Sequence, residues 1–119
     1  MNERRFFSKG YVVQCPLWAI VNLERFKNGE GYNSTVCFKG KPGLGPFLPL
    51  FLSADAANEL AKEIDLKGCG AFKLESARKL HDLLEMIGAD NVAIYLEKDK
   101  TRFYRREDLQ EELRSHLAN

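Results

Sequence analysis

The chain has 119 residues, long enough for one domain with its own hydrophobic core. Apolar residues make up 45% and charged residues 29%, and 18 basic against 17 acidic side chains leave a net charge of +1. These values exclude a disordered, collagen-like or coiled-coil chain, and argue against a strongly basic nucleic-acid domain or an acidic solvating tail.

The opening Met1-Asn2-Glu3-Arg4-Arg5-Phe6-Phe7 is charged and only briefly apolar, too short for a signal-peptide core. No run reaches the roughly 18 apolar residues of a membrane helix, so cytoplasmic residence without membrane contact is expected. Phe6, Phe7, Tyr11 and Trp18, rimmed by Arg4, Arg5 and Lys9, form a candidate partner-binding surface for another protein or a second copy of the chain. Cys15, Cys37 and Cys69 are odd in number and far apart, with no C-x-x-C pair. They read as small buried hydrophobes, not as a disulfide framework or zinc ligands.

Leu17 to Glu24 reads as a strand, with Leu17, Ala19, Val21 and Leu23 on one face. Asn28-Gly29 and Gly31 signal a turn, and Tyr32 to Phe38 alternates again, which predicts an antiparallel hairpin. A loop follows through Gly40, Pro42, Gly43, Gly45 and Pro46. Phe47 to Leu52 is a third strand, in which Pro49 predicts an edge or a bulge. Ser53 caps a helix whose stripe is Ala57, Leu60, Ala61 and Ile64. Ala71 to Leu74 is a short strand. Ser76 caps a second helix with the stripe Ala77, Leu80, Leu83, Leu84 and Ile87, closed by Gly88. Val92 to Leu96 is apolar on both faces, as in a central strand. Lys98-Asp99-Lys100 turns the chain into a last strand, Thr101 to Arg105. The terminal helix, 107–117, has only the narrow seam Leu109, Leu113 and Leu117. That seam predicts docking at the rim of the sheet or against a second subunit, with Leu113→Ala costing about 1–3 kcal/mol, below a deep core leucine.

The expected fold is therefore α+β: a mixed, largely antiparallel sheet in the order β-β-β-α-β-α-β-(β)-α, with the helices packed on one face, as a single domain over 1–119.

No catalytic signature emerges. The glycine loop at 40–45 lacks the G-x-x-x-x-G-K-[ST] order before a helix that a phosphate loop needs, and reads as a connection between strands. His81 stands four residues before Glu85, an ordinary helix-surface pair, and His116 lies near a helix C-terminus. No serine sits in a G-x-S-x-G elbow. The acidic pairs Glu107-Asp108 and Glu111-Glu112 belong to a solvated helix face. A distant pairing such as Cys37 with His81 is the remaining route to an enzyme site. No cofactor and no metal ligand set is expected.

The strongest charge signal is Lys98, Lys100, Arg102, Arg105 and Arg106 around Phe103 and Tyr104. Cations interleaved with aromatics suit a nucleic-acid backbone and its bases, and equally a strand edge protected by charge. This segment is the candidate nucleic-acid-binding site.

Phe47-Leu48-Pro49-Leu50-Phe51-Leu52-Ser53-Ala54-Asp55-Ala56-Ala57 is a strand ending in an apolar-Phe-apolar-Ser step that runs into a helix opened by an acidic residue and alanines. With Ala77 to Gly88 and Asn91 to Leu96 behind it, residues 47–96 resemble the N-terminal domain of SseB-like proteins. The resemblance implies a small bacterial α+β module, mostly without assigned enzymatic activity, and it carries over no site residue. The sequence thus points to a non-catalytic binding or adaptor module working through protein–protein contacts, possible as a homodimer, with nucleic-acid binding by 98–106 as the alternative.

Overall fold

A computed structural model describes residues 16–40, 43, 45–97 and 100–117, with the backbone alone for Glu97 and His116. Phe6, Phe7, Tyr11, Cys15 and Lys98 lie outside the described residues. Five strands and three longer helices alternate along the chain: β1 (Leu17–Asn22), β2 (Phe47–Phe51), α1 (Ala54–Glu63), β3 (Cys69–Leu74), α2 (Ala77–Met86), β4 (Asn91–Glu97), β5 (Lys100–Arg105) and α3 (Arg106–Leu117). The strands form one sheet in the order β3-β1-β2-β4-β5. The β2–β4 pair is parallel and the other three neighbouring pairs are antiparallel. The fold is α+β with a mixed, largely antiparallel sheet.

Local chemistry sets the helix starts. The Ser53 hydroxyl accepts a hydrogen bond from the Ala56 N–H at 3.1 Å, and the Ser76 hydroxyl accepts one from the Lys79 N–H at 3.2 Å. Each satisfies a backbone donor that has no partner inside its own helix.

The helices do not share one face, contrary to the expectation from sequence. Leu17 and Ala19 of β1, Leu48 and Leu50 of β2, and Val92 and Ile94 of β4 pack with Leu80, Leu83 and Leu84 of α2 and with Leu109 and Leu113 of α3. The alternate residues Ile20 and Phe51 pack on the other face with Ala57 and Ala61 of α1. The connection β2-α1-β3 runs toward one edge of the sheet and β3-α2-β4 runs back. Crossovers of the same hand travelling in opposite directions put their helices on opposite faces.

The predicted hairpin partner at 32–38 is also absent. β1 ends at Asn22, whose side-chain oxygen accepts the Arg25 N–H at 3.0 Å and starts a helical excursion over 23–34. Gly29 and Gly31 take positive φ within it, and the Ser34 hydroxyl donates to the Gly31 carbonyl at 2.6 Å. After this excursion the chain makes only the isolated bridges Val21↔Thr35 and Phe38↔Phe47. Helical turns closed by local side-chain bonds outcompete a tight hairpin here.

β2 is interior rather than an edge strand, yet Pro49 is tolerated. On its β1 side β2 is in register only at Phe51, opposite Trp18, so the ladder is already interrupted where the missing N–H falls.

The terminal helix is likewise misplaced by the sequence pattern. Leu109 and Leu113 are completely buried, and α3 packs along α2 and β5. Two leucines inserted between those elements join the main core, so the narrow seam marks a wedge and not a loosely docked rim helix.

Candidate functional site

Within the candidate segment 98–106, residues 100–105 form β5 and Arg106 opens α3, and alternation along the strand sorts their side chains. Tyr104 faces the α2–α3 core and is 2% exposed, and Lys100 and Arg102 share that face. Thr101, Phe103 and Arg105 point to the opposite face, opposite Tyr95, Ala93 and Asn91 of β4. Phe103 is 57% exposed, the most exposed of the large hydrophobic side chains described. Its ring lies 6.2 Å from that of Phe47, edge to face, and Phe47 meets Phe38 in the same way at 5.6 Å. The bridge between Phe38 and Phe47 and the register of β2, β4 and β5 thus line three phenyl rings across the strands, with Arg105 beside the outermost.

Arg106 has a structural task. Its guanidinium Nη1 donates to the Ile87 carbonyl at 2.8 Å, and its backbone N–H donates to the Asp90 carbonyl at 2.9 Å. Both bonds fasten the α2–β4 loop to the β5–α3 junction. The fold therefore brings Phe103 and Arg105 together, sets Lys100 and Arg102 on the other face, buries Tyr104 and ties the half-buried Arg106 to the α2–β4 loop. The Phe38–Phe47–Phe103 row is not legible from sequence, because it joins three separate segments.

Trp18 is half-buried on the α1 face, packed against that smaller core, with the Lys73 ammonium 5.7 Å from its ring centre. It is the described member of the predicted partner-binding set. The glycine loop closes on itself: a β-carbon on Gly40 would run into the Gly45 carbonyl oxygen, and one on Gly45 would lie 4.0 Å from the Asp90 carboxylate. A loop with a carboxylate at its base suits the strand connection better than an anion site.

Cys37 is packed against the main core, and burial pushes its thiol above the ordinary range. That is the reverse of what a thiolate nucleophile needs. It makes no hydrogen bond with His81, whose Nδ1 instead lies 3.7 Å from Glu85 Oε1. The Cys37–His81 hydrogen bond, the example of a distant catalytic pairing, is absent from the described residues.

Burial also raises the Tyr95 phenol, and burial together with the Asp82 carboxylate raises that of Tyr32. All three groups are held neutral by the fold, so the unfolded chain loses these protons first as pH rises. Their stabilisation is complete below the ordinary thiol value of about 8.5 and declines as pH climbs through about 10. The urea midpoint at about pH 10 should accordingly lie below that at neutrality, and the double variant Cys37→Ser, Tyr95→Phe should flatten the decline. An unchanged midpoint across that range would contradict the burial of these groups.

Among the described residues no helix is long and apolar enough to cross a membrane. No family model matches the sequence, and no curated protein matches it.

Proposed function

We propose that this chain is a small non-catalytic binding module, SseB-like in its central segment, that works through protein–protein contacts on the β5 side of its sheet. The observation that carries the reading is the exposed Phe103 ring, backed by Phe47 and Phe38 and accompanied by Arg105. An aromatic anchor with an arginine beside it is the composition that dominates interface energetics. The partner is a different chain with an apolar centre and an acidic rim. Antiparallel self-pairing of β5 centred on Arg102 would set that guanidinium against its own copy, and like charges facing across strands oppose that register.

The test has two stages. Sedimentation velocity of the wild-type protein over a wide concentration range should show a monomer. A protein retained by the immobilised wild type, then purified, should bind in calorimetry about 30-fold more weakly to Phe103→Ser, the loss expected of a hot-spot residue. Self-association abolished by Phe103→Ser would replace the foreign partner with a second copy. Equal binding by wild type and variant would remove β5 as the contact surface.

The row of three rings favours a second reading, in which single-stranded nucleic acid stacks on Phe103 and Phe47 while Arg105 meets phosphates. Titration with single-stranded DNA and RNA at about 50 mM salt decides it, since phosphate contacts are strongest there and weaken steeply as salt rises. Absence of binding under those conditions ends this alternative.

A further inference from the structure

A second polar cluster lies away from β5, on α2. The donor atoms of His81, Asp82 and Glu85 all fall within 4.8 Å of one another. The His81 side chain is only 12% exposed, and its Nε2 is buried without a hydrogen-bond partner. Nδ1 faces Glu85 Oε1 at 3.7 Å, too long for a hydrogen bond. Nε2 is thus the buried nitrogen without a partner, and Nδ1 is left directed at the Glu85 carboxylate with no hydrogen bond of its own.

The same spacing suits two ligands of one ion. Zinc holds nitrogen and oxygen donors at about 2.0–2.2 Å, and a tetrahedral arrangement then sets two donors about 3.4 Å apart. The observed gap between Nδ1 and Oε1 needs only a few tenths of an ångström of closure. Asp82, next to His81 in the chain, brings a third donor to the same end of the helix. The helix repeat places residues i and i+4 on one face, which is how His81 and Glu85 meet. We propose that His81, Asp82 and Glu85 form a three-ligand site for a divalent transition-metal ion, with zinc the best match.

One imidazole with two carboxylates is a borderline donor set, acceptable to zinc, cobalt and nickel. Magnesium and calcium favour all-oxygen surroundings and should not compete. Three protein ligands leave one position open to water, as in zinc sites that are not purely structural. The phenol of Tyr32 lies near enough to Asp82 to feel its charge, so the helical excursion over 23–34 stands beside this position.

The test is calorimetric titration of the full chain with zinc chloride at neutral pH. One ion per chain should bind, and Glu85→Gln and His81→Asn should each weaken binding about tenfold or more. Glu85 is exposed, so Glu85→Gln reports on the site even if the His81 variant folds poorly. Cobalt in place of zinc should give a visible d–d spectrum without thiolate charge-transfer bands, because no cysteine is a ligand. Absence of zinc binding, wild-type affinity in Glu85→Gln, or a thiolate band would each overturn the proposal.

Discussion

Leu113→Ala should destabilise the protein by about 2–5 kcal/mol, the range of a fully buried leucine cut back to alanine. Leu113 is 1% exposed and sits in one cluster with Leu80, Leu83, Leu84 and Leu109. Truncation removes three side-chain carbons from water-free surroundings and opens a cavity between α3 and α2 that the helix backbones cannot close. The proper comparator is Leu84→Ala, whose side chain is equally buried on the facing helix. Urea melts of the two variants should give losses of similar size. A loss below about 1 kcal/mol for Leu113→Ala, with Leu84→Ala several-fold larger, would return α3 to the sheet rim that its narrow seam suggested.

Arg106→Ala should cost about 1.5–3 kcal/mol, the usual worth of a hydrogen bond to a charged group. The guanidinium reaches from the start of α3 to the Ile87 carbonyl just past α2, and the loss would leave that carbonyl without its donor. The Arg106 backbone bond to Asp90 remains available in the variant, so the junction should loosen without dissolving. Arg106→Ala thereby separates structural from functional cations in the 98–106 segment. If that segment holds a partner or a nucleic acid, Arg105→Ala should weaken binding by the folded protein. Arg106→Ala should lower the midpoint and leave binding by the folded fraction intact. The opposite pattern would mean that Arg106 faces the ligand and Arg105 the fold.

Much of the architecture is written in local residue patterns. Ser53 and Ser76 mark helix starts because a hydroxyl at that position meets a backbone N–H three residues on, wherever the helix later packs. The stripes Ala57–Ala61 and Leu80–Leu83–Leu84 name their buried faces, since helical spacing alone brings those side chains together. The short runs Leu17 to Val21 and Val92 to Leu96, apolar on both faces, mark strands covered on both sides. Composition and alternation were thus enough for an α+β fold built on a mixed sheet and for Thr101 to Arg105 as a strand carrying cations and aromatics.

Other features depended on contacts between segments that no local pattern records. The division of helices between two faces follows from the direction of each crossover, and the order β3-β1-β2-β4-β5 is a property of the assembled sheet. The fate of 32–38 turned on competition between a hairpin and the helical excursion begun by the Asn22 cap. Within the basic segment, the sequence offers five cations and two aromatics as equal candidates, whereas strand register alone put Phe103 beside Phe47 and sent Tyr104 into the core. His81 and Glu85 are visible as a helical pair, but the burial that strips the imidazole of hydrogen bonds comes from packing around α2. Sequence determines what each short segment prefers, because caps, turns and periodicity act within a few residues. Tertiary structure decides which faces are covered and which side chains meet, because burial and cross-strand contact exist only once distant segments are brought together.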